Sequence, residues 1–579
     1  MDGETTEEAN EGETFEGVLE SIDSMGAAQV MIILLSIAIE CTVGMTVNYF
    51  VLESGPHYSC LTLSDALNSS SYGAPSVLSC TNSTAACYNE TVPDLGKCPS
   101  AGKACTNVTY LDDYTSIVTE WNLTCDKYYL VKLTASIYFA GLLVGAIIGG
   151  QLSDMLGRRP ILLAAWTGLI AAQACLAAVT LWPVYAALRF IVGLFAGCCA
   201  TVATILPMEY VGMKWRIFVA MRLGWGISHF LLPLVAYFLR PWQHLALGSS
   251  LPFAPFLLLS FVFLPESSRW LLQKQKYDVA FKWLKFVARI NRRPPPDSAI
   301  IRRIGKSYAE AQKAAGHYTY ANLFASKTYA LRSTVLMLGW FTCSMVSYGL
   351  KSQWASLTGS IYINMAIAAA ANVCVRIAAP FIFSKTGRRP SYALSMAIPV
   401  VAMFSILAMD LAGYMKGREM VRTWLALVSY AVGVGCWISV FIITMEIYPT
   451  LIRNIASGAG NTSARVAGVL APQVGLLKVF HPSLPYIIFG TMAVGESILM
   501  TVFMPETKNK PLPEEPPPRF GKKDQEAGRR DIGEDKAIVV GSYVLDGEER
   551  TNGDIGLGVE MALMGNGSDF ALRRPDRNT

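Results

Sequence analysis

The sequence predicts an all-α polytopic membrane protein whose twelve spanning helices form two pseudo-equivalent six-helix bundles. Three observations predict it: a composition too apolar for a water-soluble domain, a series of twelve apolar windows, and charged motifs that recur at a nearly constant offset.

Of 579 residues, 52% are hydrophobic and 16% charged, against roughly 25% charged in soluble globular domains, and the mean hydropathy is +0.37. That composition excludes an ordinary cytosolic domain and a disordered chain. At about 20 apolar residues per spanning helix, the chain has room for a dozen spans with loops and tails to spare.

Windows of about 19 residues place six spans at 25–52, 133–152, 161–181, 185–206, 218–238 and 244–264. Six more follow at 335–350, 361–383, 391–412, 423–447, 455–479 and 486–504. The expected organisation is an acidic N-terminal tail (1–24), a first bundle (25–265) carrying a long outer loop (53–126), a basic linker (266–332), a second bundle (333–505) and a disordered polar tail (506–579). The linker holds 14 Lys/Arg against 4 Asp/Glu, and positive loops stay in the cytoplasm. By parity both termini are then cytoplasmic and the 53–126 loop lies outside. No Lys or Arg precedes Lys97, so a cleaved signal peptide is not expected.

The outer loop supports this orientation independently. It carries six cysteines, Cys60, Cys80, Cys87, Cys98, Cys105 and Cys125, an even set that suggests a disulfide framework among fifteen pairings. It also carries five glycosylation sequons, at Asn68, Asn82, Asn89, Asn107 and Asn122, which require a lumenal loop. The other seven cysteines fall in spans, where they are expected to act as small apolar packing groups.

The repeat is written in charged motifs at one end of the spans. After span two the chain reads Gly150, Asp154, Gly157, Arg158, Arg159, Pro160; after span eight it reads Ser384, Gly387, Arg388, Arg389, Pro390. Glu209 and Arg216 bracket the turn between spans four and five, as Glu446 and Arg453 bracket that between spans ten and eleven. Pro265-Glu266-Ser267, followed by Arg269, closes span six, and Pro505-Glu506-Thr507 closes span twelve. Three pairs in register imply two similar bundles with an ionic latch on one face, the layout of alternating access around a midplane site.

The run from Gly150 to Arg159 resembles the signature of the major facilitator superfamily. More narrowly, Glu120-Trp121-Asn122-Leu123-Thr124-Cys125-Asp126, the cysteine-rich outer loop and Pro265-Glu266-Ser267-Ser268-Arg269-Trp270-Leu271 resemble the organic cation, organic anion and carnitine transporter family (solute carrier 22-like). The resemblance covers about Phe15 to Pro513. Sugar porters are similar over the Pro265 run, and the outer loop separates them. Two positions depart from the family pattern: His57 is displaced by one place, and Ser384 replaces an acid.

Charges inside spans cost about 2.5–3.5 kcal/mol at a helix centre on insertion scales and face the bundle interior. Glu40, Arg189, Arg376, Arg465 and Glu496 are such residues, with a structural ion pair or a snorkelling side chain as the alternative role for each arginine, the structural role the favoured one for Arg189, and Glu496 read as packed or paired. Counted along their spans at 1.5 Å per residue, Arg376 and Arg465 fall roughly 10–17 Å from the cytoplasmic face, where they form a dicationic patch suited to a carboxylate or sulfonate. The family resemblance implies the same: anion transporters carry basic residues at both places, and Asn372 stands where cation transporters often have an acid. Carnitine transporters also resemble the chain at Arg465, and Glu40 could pair with an arginine, accept a proton for coupling or bind an ammonium group. Tyr138, Trp225, Phe230, Tyr348, Trp354 and Tyr430 are candidates to line an organic-ion pocket, with helix packing or an interfacial belt as the alternative role for each.

The sequence has no Gly-x4-Gly-Lys-Ser/Thr phosphate loop, no metal-ligand spacing among its five histidines, and no nucleophile paired with a base. The expectation is a secondary-active or facilitative plasma-membrane transporter with no cofactor or metal. Its partners are a small organic ion, a counter-ion or exchange substrate and the lipid bilayer, without nucleic acid. Organic anions are the first substrate reading, carnitine-like zwitterions or organic cations the second, and a non-transporting receptor or scaffold the third.

Overall fold

A computed structural model describes residues 14–49, 58–61, 91–92, 107–110, 114–124, 127–212, 215, 219, 223–315, 319–354, 357–414 and 418–508. All of these lie within one unit, Met1–Gly521.

The first half begins with a short helix, α1 (Phe15–Ser21), capped by Thr14. It is followed by α2 (Ala27–Asn48), α3 (Ile117–Trp121), α4 (Tyr129–Leu156), α5 (Arg158–Leu176), α6 (Trp182–Met208), α7 (Leu223–Phe238), α8 (Trp242–Gly248) and α9 (Ala254–Phe263). Three short antiparallel strands belong to the loop after α2: β1 (Tyr58–Leu61), flanked by β2 (Thr91–Val92) and β3 (Asn107–Tyr110). The linker carries α10 (Ser268–Gln273), α11 (Tyr277–Ile290) and α12 (Ser298–Ala315). The second half comprises α13 (Lys327–Lys351), α14 (Ile361–Thr386), α15 (Arg388–Leu411), α16 (Glu419–Ile447), α17 (Thr450–Val474) and α18 (Leu484–Phe503).

Twelve spans are accounted for when α8 and α9 are taken as one, Trp242–Phe263, broken near Ser249 and Ser250. Among the described residues, ten are long and apolar enough to cross a membrane; α7 is apolar but only 16 residues long. The twelfth, α17, is 25 residues long and polar for a span, because it carries Arg453, Asn461 and Arg465. The seven cysteines predicted in spans lie in helices α2, α5, α6, α13, α14 and α16 as free thiols.

Helix packing repeats between the halves. In the first, α2 packs on α7 and α6, and α6 also packs on α4 and α5; in the second, α13 packs on α17 and α16, and α16 packs on α14 and α15. The contacts between halves obey the same exchange, α4 against α17 and α7 against α14. Small residues make the tightest seam: a Cβ on Gly141 or Gly145 of α4 would run into the backbone of Phe190 or Leu194 of α6. This is small-residue packing of the kind that lets membrane helices approach closely.

The linker and the segment Phe15–Ser21 carry packed helices despite their polar surroundings. The apolar stripe of α11 buries Ala280, Leu284, Val287 and Ala288, while α1 buries Phe15, Val18 and Leu19. Asn291 ties this layer to α2, accepting from the Ala28 N–H at 2.8 Å and donating to the Ile22 carbonyl and Gln29 Oε1, each at 2.8 Å. On the opposite face α3 docks through Trp121, whose Nε1 donates to the Thr180 carbonyl at 2.8 Å and whose ring lies 5.2 Å and 5.7 Å from those of Tyr185 and Trp242.

Candidate functional site

Two sets of polar residues stand out. The first is at the face where the charged motifs gather. Gly157 and Gly387, between α4 and α5 and between α14 and α15, have φ of 116° and 99°, a region that L side chains rarely adopt. Each turn exposes the first amides of the next helix, and a carboxylate caps them. Glu266 accepts from the Arg158 and Arg159 N–H groups at 2.8 and 3.1 Å, and Glu506 accepts from those of Arg388 and Arg389 at 2.8 and 3.1 Å.

The arginine side chains repeat the pattern. Arg158 pairs with Asp154 and lies 3.8 Å from Glu209; Arg388 pairs with Glu446 at 2.9 Å. Burial raises the Glu209 carboxyl above its ordinary value, with Arg158 working against it. Burial also pushes Glu506 upward, but the amides of Arg388, Lys508, Arg389 and Thr507 outweigh it and hold the carboxyl below the usual range. Arg159 donates to the carbonyls of Leu264 and Phe261 at 2.7 and 2.6 Å, Arg269 pairs with Glu16, and Arg453 donates to the Tyr448 carbonyl at 3.2 Å. These bonds run within each lobe. Arg216 lies outside the described residues.

The second set lies between the lobes. Tyr138 and Phe139 of α4 are fully buried, and the Phe139 ring centroid is 4.6 Å from that of Tyr348 on α13. Trp354 meets Tyr430 of α16 edge-on at 4.8 Å. Arg376 of α14 donates through Nε to Asn372 Oδ1 at 2.8 Å, and Asn372 Nδ2 donates to the Tyr430 hydroxyl at 3.3 Å. Arg465 of α17 is 6% exposed. Phe139 thus meets Tyr348 across the lobe interface, Arg376, Asn372, Tyr430 and Trp354 form a contacting chain in the second lobe, and Arg465 is buried on α17, which packs on α4.

Of the remaining candidates, Arg189 adjoins this set through Tyr138. Glu40 is buried on α2 against Gly224 of α7. Arg189 is enclosed beneath Tyr49 and Tyr138, its guanidinium 5.2 and 4.5 Å from their centroids. Glu496 lies against Gly339 within the second lobe, Trp225 is buried on α7, and Phe230 is exposed. Asn122 is an exposed left-handed residue ending α3. Of the loop candidates, Cys60 and Asn107 have described backbone in β1 and β3; Cys80, Cys87, Cys98, Cys105, Cys125, Asn68, Asn82 and Asn89 lie outside the described residues.

Sequence reasoning missed two lysines here. Lys132 of α4 is buried and donates to the Ser352 carbonyl at 3.0 Å, from one lobe to the other. Lys351, the last residue of α13, donates to Asn48 and His229 of the first lobe. The apolar window ending at Leu350 stops one residue short of Lys351, and a lysine at a window edge reads as interfacial.

Comparison with known proteins adds independent information. The sugar (and other) transporter family matches residues 87–516. Solute carrier family 22 member 6-A of Xenopus laevis is 33% identical over 410 residues, covering 70% of this chain and 72% of its own. Solute carrier family 22 member 15-like of Xenopus tropicalis is 33% identical over 409 residues, 70% of this chain and 81% of its own. Organic anion transporter 3 of Oryctolagus cuniculus is 31% identical over 404 residues, covering 69% and 73%. Among solved structures, the inward-open xylose transporter XylE from E. coli superposes with a TM-score of 0.57 at 17% identity, covering 83% of this chain and 98% of its own. That likeness establishes the fold.

Proposed function

We propose that this chain, which belongs to solute carrier family 22 within the sugar (and other) transporters, carries small organic anions across the plasma membrane by alternating access. Membership makes it a multi-pass membrane transporter and not an enzyme. Transport runs as uniport or exchange, with a counter-ion or second organic ion returning through the same site.

The observation that carries the anion reading is a pair of guanidinium groups, Arg376 and Arg465, on α14 and α17, the helices that pack on the first lobe, with Tyr138, Tyr348 and Tyr430 on neighbouring helices. Two guanidinium groups supply forked donors for a carboxylate or sulfonate, and the rings with Trp354 supply apolar faces for the organic body. The relative named organic anion transporter 3 supports the same class. Glu40 packs against α7 and is assigned to pairing or coupling.

The ionic motifs, Asp154, Arg158, Glu209, Glu266, Arg388, Glu446 and Glu506, act as braces that keep each lobe rigid as it rocks, and Arg159, Arg269 and Arg453 secure the adjoining turns. The motif face is assigned to the cytoplasm with both termini, and the loop 53–126 to the outside with its sequons and disulfides.

The test is uptake of radiolabelled anions, cations and zwitterions by cells expressing the protein. Accumulation of para-aminohippurate-like anions is expected. Concentration of carnitine or an ammonium dye while such anions are ignored refutes the anion reading, and absence of flux for every class refutes transport of organic ions.

A further inference from the structure

Lys351 ends α13 but does not reach solvent. It is 4% exposed, and its ammonium meets His229, nine residues before the end of α7. Nζ donates to Asn48 Oδ1 at 2.7 Å and to His229 Nε2 at 2.8 Å, both on the first lobe. It also lies 5.2 Å from the ring centroids of Tyr348 and Tyr430 on its own lobe.

Both acceptors are aimed by their own helices. Asn48 Nδ2 donates to the Gly44 carbonyl at 2.6 Å, turning Oδ1 toward the lysine. His229 Nδ1 donates to the Trp225 carbonyl at 2.5 Å, which leaves Nε2 as the lone-pair acceptor of a neutral ring. Among the described residues, the hydrogen-bond and ring partners of Lys351 carry no negative charge, and Arg376, of like sign, is tied through Asn372 to the same Tyr430.

An ammonium buried without a counter-charge is costly, and a neighbouring cation adds to the cost. Neutral acceptors and ring faces offset only part of it. An anion placed beside Lys351 supplies the counter-charge that Asn48, His229 and the two rings do not.

We propose that Lys351 is an anion-receiving residue of the transport site, which clasps the first lobe through Asn48 and His229 and transfers its donors to the substrate's carboxylate or sulfonate when the lobes part. The inference rests on the anion reading given above. The exchange of partners makes substrate charge itself release the clasp, so that an uncharged analogue of the same shape binds without opening it.

The test uses the full chain in proteoliposomes and labelled para-aminohippurate. Lys351→Gln is expected to raise KM by about tenfold or more, with a smaller effect on maximal rate, and Lys351→Arg to restore KM to within about threefold of wild type. The uncharged amide of para-aminohippurate is expected to compete equally weakly against both wild type and Lys351→Gln. Asn48→Asp, which gives the lysine a permanent counter-charge and keeps the clasp, is expected to raise KM as well. An unchanged KM in Lys351→Gln overturns the proposal; if that variant does not fold, an unchanged KM in Asn48→Asp overturns it. Wild type that moves no organic anion refutes the underlying transport reading, a result distinct from an active wild type indifferent to residue 351.

Discussion

Arg465 and Arg376 were conspicuous in the sequence because a charge in an apolar window is rare and costly. Their neighbours were not, since Tyr138, Tyr348 and Tyr430 read equally well as packing groups until the lobes are brought together. Two outcomes follow at this scale. Arg465→Asp is expected to abolish anion uptake while surface expression, measured by biotinylation, stays near wild type; loss of expression instead marks a structural role. Arg376→Gln removes a charge-assisted donor worth about 1.5–3 kcal/mol, so KM for an anion should rise roughly tenfold or more, and an unchanged KM removes Arg376 from the site.

Elements are held by the turn after each second helix of a half. The left-handed conformations of Gly157 and Gly387 present the first amides of α5 and α15 to Glu266 and Glu506, and a Cβ on Gly387 would come within 3.0 Å of the Glu506 carboxylate. Gly387→Ala is therefore expected to lose about 1–3 kcal/mol, read as a lower melting temperature in detergent; an unaltered melt contradicts the strain argument. Glu506 gives a pH signature. Its folded value is depressed, so its contribution is complete above the ordinary carboxylate value of about 4.5 and is lost as pH falls through the depressed one. Thermal stability should drop on acidification in that window, and Glu506→Gln should flatten the drop. At this scale the sequence located the motifs by their register. It did not reveal that their bonds close inside each lobe, because a helix-capping carboxylate and an inter-lobe latch need the same residue types.

Across the whole molecule, the contacts between lobes pair α4 with α17 and α7 with α14. Toward the face opposite the motifs, Ser136 donates to the Val469 carbonyl at 2.6 Å and accepts from Gln473 at 2.9 Å, and Lys132 reaches Ser352. If alternating access separates these helices, a disulfide between Ser136→Cys and Gln473→Cys stops transport and reduction restores it. Transport that persists in the oxidised pair excludes separation of α4 from α17 at that level. By itself the sequence determined the class and the twelve spans, and it marked the repeated motifs and the two guanidinium groups as candidates, because hydropathy, charge placement and repeat spacing are carried along the chain. Only the tertiary structure decided that Lys351 and His229 meet at a buried position, 122 residues apart. A charge at the end of a helix is exposed or enclosed according to which helices close over it, and no local pattern encodes that.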